Sequence, residues 1–302
     1  MRSPRRRRTR ARVLATGALL AAATLVGLVM YAGADDQPVS VPRSAAPFVE
    51  GTEERADNAG ALTVRDLRMG ARDGGQISGY IVRPRRLTQP AAAVILMHGL
   101  NTDASDLVIE GALLAKRGAI AIVPDNAFVR LGPADEPGLD GMRQDRRRRL
   151  ASAQDVADLV AALEKNPRVD PRRIAVAGYS MGGYILSLIA GDLPLAAEVY
   201  VSTGGGWIKD PSLTRNDDAR AIAAELDPVA AIEQASDERS RPRLVQFGKQ
   251  DDRIGVDRLR RFAAAAPEPK RVAPYDAGHL LNVKAVSHRV DWLGRELHLR
   301  PR

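Results

Sequence analysis

The sequence predicts an α/β architecture: a mostly parallel sheet covered by helices on both faces and opened by an antiparallel hairpin. Three observations predict it. Short apolar runs alternate with helical patterns through most of the chain. Two extended segments are joined at Asp73-Gly74-Gly75, a hairpin signal. One apolar run passes through Gly178-Tyr179-Ser180-Met181-Gly182 directly into a helix-like stretch.

Taken in order, the first twelve residues hold seven arginines, and residues 13–32 follow without a charge. Such a pattern reads as a targeting segment whose basic end stays cytoplasmic, so the rest of the chain is expected outside. The apolar run exceeds an ordinary signal core and is long enough to span a bilayer, which favours a retained anchor. Its alanine-rich character and Ala32-Gly33-Ala34 favour a cleaved signal, so residues 1–34 are expected to be one or the other. Residues 35–60, with Pro38, Pro42 and Pro47, read as a linker, and the domain is expected over residues 61–302. Its roughly 240 residues suffice for one buried core.

Within that domain, residues 62–69 and 76–84 form the expected hairpin. Strands follow near 92–97, 119–124, 173–179, 197–202, 243–248 and 271–275, with helices between. Residues 203–240 exceed a simple crossover and read as a small lid or as a loop with a helix; Trp207 is a candidate for lining a pocket or for packing. Arg146-Arg147-Arg148-Arg149 opens a helical stretch to Lys165 and reads as a solvated face.

The formal charge of +8 invites a nucleic-acid reading, but beyond residue 34 the chain carries 38 basic and 37 acidic side chains, so no such partner is implied. With no cysteine, the chain forms no disulfide and carries no cysteine-linked lipid. The four histidines lack metal-ligand spacing, and Gly204-Gly205-Gly206 lacks the spacing of a phosphate loop, so no metal or cofactor is expected.

The chemistry concentrates at Ser180. Residues 173–179 suit a buried strand and residues 181–190 a packed helix, so Ser180 sits on a sharp turn with its Oγ lifted clear of the sheet. Side chains at 178 and 182 would clash in that turn, and glycines stand there. A serine hydroxyl is a weak nucleophile, needing a base and a group to orient that base. His98 precedes the serine, and His288 and His298 fall in the last helical pattern. His279 follows a turn at the carboxyl end of a strand, where open α/β sheets place their chemistry, and is the expected base. Asp251 and Asp252 both qualify as the acid by position; the Gly-x-x-Asp turn favours Asp251, with Asp252 expected to cap the helix near 255–265. The amides of Met181 and Leu100 are the expected oxyanion donors, with His98 a structural hydrogen-bonding residue.

Val94-Ile95-Leu96-Met97-His98-Gly99-Leu100, Asp170 through Gly183, Gly248-Lys249-Gln250-Asp251 and Gly278-His279 together resemble the α/β-hydrolase superfamily. Within it, the chain is similar to the dienelactone-hydrolase-like serine esterases. The resemblance implies the α/β-hydrolase fold and covers about two-thirds of the chain. Two departures stand out. Dienelactone hydrolases proper carry a cysteine nucleophile, absent here, and the turn after the fourth strand reads Pro124 through Pro133 without the glycine pattern of many relatives. The expected activity is hydrolysis of a small-molecule carboxylic ester through an acyl-enzyme. A peptidase or amidase acting on short peptides is the second reading, and a non-catalytic cell-envelope binding protein the third.

Overall fold

The computed structural model describes residues 49–56, 60–133, 135–205, 211–235 and 240–301. Among these residues, one sheet of nine strands runs in the order β1-β2-β3-β5-β4-β6-β7-β8-β9. Its strands are β1 (Val49–Ala56), β2 (Leu62–Gly70), β3 (Gln76–Pro84), β4 (Ala91–Met97), β5 (Ile120–Pro124), β6 (Val169–Tyr179), β7 (Ala197–Val201), β8 (Arg243–Gly248) and β9 (Lys270–Tyr275). The pairs β1–β2, β2–β3 and β3–β5 are antiparallel, and every pair from β5 to β9 is parallel. The expected hairpin and mostly parallel sheet are therefore both present.

Among the described residues, eight helices connect and cover it: α1 (Val108–Lys116), α2 (Ala127–Leu131), α3 (Gly138–Glu164), α4 (Met181–Ile189), α5 (Asp217–Glu225), α6 (Pro228–Gln234), α7 (Val256–Ala265) and α8 (Val283–Glu296). Alternate strand residues face opposite layers, as the pleat requires. Ile95, Val176, Tyr200 and Val245 pack with Val160 of α3, Ile185 of α4 and Phe262 of α7. Val94, Ala175, Val199 and Leu244 pack with Leu114 of α1 and Leu293 of α8. All seven residues of β4 are buried, which explains its unbroken apolar sequence.

The chain leaves β4 for β5 on one side and returns to β6 on the other, with Met97 and Gly178 paired at the carboxyl ends. Such a reversal is a topological switch point, and open α/β sheets bind ligands at the carboxyl ends of the strands that flank it.

Three segments differ from the sequence reading. Val49–Ala56, within the expected linker, pairs antiparallel with β2 as an edge strand. Its charged sequence gives no apolar alternation, and backbone pairing at an edge needs none. The arginine run is not a solvated face. It lies in mid-α3, and because successive helical residues are about 100° apart, four in a row cannot share one side. Arg147 is exposed, whereas Arg148 and Arg149 are buried. Arg149 binds Asp145 and lies 4.4 Å over the Tyr184 ring of α4. Arg146 holds Glu225 of α5 through two bonds of 2.6 Å. Finally, residues 211–235 form a short 3-10 turn, α5 and α6 in the β7–β8 crossover, with α6 against α4 and α7.

Trp207 and the targeting segment, residues 1–34, lie outside the described residues. Among the described residues, no helix is long and apolar enough to cross a membrane.

Candidate active site

Strand β6 ends at Tyr179 and α4 begins at Met181, so Ser180 is the only residue between them. It adopts φ 50°, ψ −107°, a left-handed backbone that a side chain tolerates only where surrounding contacts impose it. Two of those contacts are backbone bonds: Ser180 N–H donates to Val201 O at 2.7 Å, and Tyr184 N–H to Ser180 O at 2.9 Å. The glycines are there because backbones touch. A Cβ at Gly178 would lie 2.4 Å from Gly183 N, and one at Gly182 would lie 2.5 Å from Met97 O. A Cβ at Gly183 would meet Thr203 Oγ1 at 2.0 Å, so this third glycine is equally required for α4 to close on the sheet.

The loop after β9 brings His279 over the serine, with Nε2 3.0 Å from Ser180 Oγ. His279 Nδ1 stands 2.8 Å from Asp251 Oδ2. Asp251 is buried, and its other oxygen accepts the amides of Arg253 and Ile254, each at 3.0 Å. Burial pushes the Asp251 carboxyl up. The His279 hydrogen bond and the Ile254 and Arg253 amides outweigh burial and hold the group below its usual range. Asp252 is exposed and does not cap α7, whose N-cap is Gly255 with no side-chain bond. Helix α7 starts at Val256, too far along the chain for Asp252 to occupy the capping position. It is Asp251 that accepts backbone amides here, and they belong to the loop before α7.

The loop after β4 passes beside the serine: a Cβ on Gly99 would lie 3.6 Å from Ser180 Cβ. The amides of Leu100 and Met181 take no partner among the described residues, and Met181 opens α4, where the helix dipole favours negative charge. His98, expected as a structural residue, is buried; its Nε2 accepts Asn126 N–H at 3.0 Å, so its Nδ1–H donates to Gly99 O at 2.8 Å. Burial pushes His98 below the ordinary imidazole range, keeping it neutral in that role. It therefore fixes the loop that carries Leu100.

One residue of the site escaped sequence reasoning. Ser202, buried and at φ 49°, donates its hydroxyl to His279 O at 2.7 Å, while its own amide goes to Gln246 O at 2.7 Å. It pins the histidine loop to the end of β7, and no motif marks it in the sequence. Among the described residues, no group of three or more side chains is arranged to hold a metal ion.

A model of the alpha/beta hydrolase family matches residues 94–284, from β4 to the start of α8. The chain belongs to the alpha/beta hydrolase family. Among curated relatives, it is 28% identical over 140 residues to a Synechocystis sp. protein provisionally named carboxymethylenebutenolidase, covering 43% of this chain and 55% of that one. It is 27% identical over 156 residues to the polyketide transferase ATR5 of Stachybotrys chlorohalonatus, covering 50% of this chain and 48% of that one. The chain spans about half the length of the curated relatives it matches. Among solved structures, the acetyl xylan esterase from Paenibacillus sp. R4 shares the hydrolase fold at a TM-score of 0.66 and 17% identity, covering 83% of this chain and 89% of that one.

Proposed function

We propose that this hydrolase-family chain is a serine esterase that cleaves small carboxylic esters through an acyl-enzyme. The observation that carries the reading is the continuous line from Asp251 Oδ2 through His279 to Ser180 Oγ, at 2.8 and 3.0 Å. His279 Nε2 takes the Ser180 proton as Oγ bonds to the ester carbonyl carbon, and the carbonyl π pair moves to oxygen. The Leu100 and Met181 amides hold that oxyanion, while ionised Asp251 steadies the imidazolium. The tetrahedral adduct collapses, the C–O bond to the alcohol breaks, and His279 returns its proton to the leaving oxygen. A water then repeats the sequence on the acyl-Ser180 ester and releases the acid. Two related proteins carry names in keeping with ester chemistry: the acetyl xylan esterase that shares the fold and the curated carboxymethylenebutenolidase.

We also propose export, with the seven arginines inside and the catalytic domain outside the cytoplasmic membrane.

A fluorophosphonate probe tests the catalytic reading, since only an activated serine attacks phosphorus readily. It should label the protein at Ser180, and a panel of p-nitrophenyl esters and aminoacyl anilides should show turnover of esters. Labelling that persists in Ser180→Ala removes Ser180 from the mechanism, and faster turnover of anilides replaces the esterase with an amidase.

A further inference from the structure

Beneath the candidate triad runs a buried polar chain that the proposed chemistry does not use. Its hub is Arg289 on α8, 2% exposed, facing Glu110 on α1, 5% exposed. The guanidinium donates through Nε and one terminal nitrogen to the two Glu110 oxygens, both at 2.6 Å, in the fork geometry that fixes both partners. Its carbon lies 4.6 Å from the Tyr179 ring centre, and the Tyr179 hydroxyl donates to Glu110. The remaining terminal nitrogen donates to Gln246 Oε1 at 3.0 Å.

The directions of the Gln246 bonds are set by that first one. Arginine can only donate, so the acceptor on Gln246 is its oxygen and the amide nitrogen points the other way. That nitrogen uses its two protons on Tyr275 Oη at 2.8 Å and Ala285 O at 3.0 Å. Tyr275 Oη, already an acceptor there, also shares a hydrogen bond with His288 Nδ1. The chain ends at His288, whose buried Nε2 has no partner among the described residues.

The chain touches each strand that leads to a triad residue. Tyr179 ends β6 and immediately precedes Ser180. Gln246 lies in β8, which leads to Asp251, and its carbonyl holds Ser202, which in turn holds His279 O. Tyr275 ends β9, which leads to His279, and its carbonyl accepts Lys249 N–H at 2.8 Å. A buried ion pair contributes little net stability compared with apolar packing of the same volume, so its use here is geometric.

We propose that Arg289, with Glu110, is a positioning residue that sets Ser180, Asp251 and His279 relative to one another. The inference rests on the serine-esterase reading above. The test compares two buried ion pairs at opposite ends of the sheet. Glu198 and Arg243, both fully buried and 2.9 Å apart, join β7 and β8 near their amino ends, away from Ser180. In Glu110→Leu/Arg289→Met, both charges leave together, so no lone buried charge remains. Per folded molecule, judged by circular dichroism, kcat on p-nitrophenyl acetate and the fluorophosphonate labelling rate should both fall by about 10–100-fold, with KM within about twofold. Arg243→Met, which leaves Glu198 paired with Arg241 at 3.0 Å, should lower Tm and leave both rates unchanged. Should the first variant not fold, Tyr179→Phe, which removes one hydroxyl, decides through a fall of about threefold or more in the same rates. Undiminished rates in Glu110→Leu/Arg289→Met, or in Tyr179→Phe where that variant decides, overturn the proposal, as does an equal loss in the Arg243→Met control. A wild-type protein that neither labels at Ser180 nor turns over esters refutes the underlying reading instead.

Discussion

Replacing Asp251 by asparagine changes one atom's chemistry and leaves the side chain's shape intact, so its outcome can be worked out from the bonds it makes. Oδ1 accepts two backbone amides, from Arg253 and Ile254, each at 3.0 Å. In the variant, those two donors hold the amide oxygen at the same place, which turns the NH2 toward His279 Nδ1. An NH2 only donates, so Nδ1 must become the acceptor and the imidazole proton moves to Nε2. Nε2 is the atom 3.0 Å from Ser180 Oγ, and with a proton on it the histidine cannot take another from the serine. The expected loss is about 10⁴-fold in kcat, with the fold retained. Stability should respond too. The Asp251 carboxyl is held below its ordinary value, so its stabilising contribution is present above the unfolded pKa of about 4 and is lost as pH falls through the lower folded value. The variant should therefore be less stable than wild type at neutral pH and converge with it in acid. Hydrolysis of a p-nitrophenyl ester at saturation, with urea unfolding at pH 7 and pH 3, measures both effects. Asp252→Asn is the control and should stay within about tenfold, because that side chain is exposed and lies outside the proposed triad. A wild-type rate in Asp251→Asn, or a comparable loss in Asp252→Asn, would refute the reasoning.

Ser180→Ala and His279→Ala should each cost on the order of 10³–10⁶ in kcat and the double variant little more, since the groups act as a unit; additive losses would show that they do not. Gly183→Ala should lower kcat about 10²-fold by driving α4 off Thr203, with Thr203→Ala in the same chain recovering part of it; a wild-type rate in Gly183→Ala would mean that the contact yields. Burial raises the Asp155 carboxyl to about 6 against the opposing pull of Arg130, so the native state binds the extra proton and wild-type stability should fall as pH rises from 4 to 6, by up to about 3 kcal/mol. Asp155→Asn should remove that fall, which urea unfolding across the window would detect. Deleting residues 1–34 should leave an active domain, and a reporter fused after residue 302 should be active outside the cytoplasm; amino-terminal sequencing that begins at Asp35 would mean a cleaved signal, and an intact Met1 or Arg2 in the membrane fraction an anchor.

The features legible in the sequence are local ones. The elbow is legible because strand, serine and helix are consecutive, and Gly178 and Gly182 report a backbone contact within the same turn. His279 and Asp251 are legible because each comes after a recognisable strand, and chain order narrows the choice. Asp252 misleads because an aspartate before a helix usually caps it, whereas here the loop continues to Gly255. Ser202 gives no signal because its role depends on a loop 77 residues away. The same holds for Glu110 and Arg289, which are 179 residues apart. Val49–Ala56 escapes notice because an edge strand pairs through its backbone, which no hydrophobic pattern records.

The buried charges share a common logic. Apolar side chains on both faces of the sheet supply most of the driving force for burial, but apolar contact is non-directional and does not by itself fix how one strand end stands against the next. Directional bonds do. At the amino ends, Glu198 receives Arg241 and Arg243 together with the Tyr200 hydroxyl. At the carboxyl ends, Glu110 receives Arg289 and the Tyr179 hydroxyl. Each carboxylate thus takes arginine and tyrosine donors, and each cluster touches more than one strand. The two clusters differ in where their strands lead. Next to Glu198 the strands are entered from the described loop residues 193–196 and 240–242, whereas past Tyr179, Gln246 and Tyr275 they lead to Ser180, Asp251 and His279. On the proposed mechanism, a displacement at the first cluster should be absorbed by loops, and one at the second should reach the 3.0 Å contact between His279 Nε2 and Ser180 Oγ.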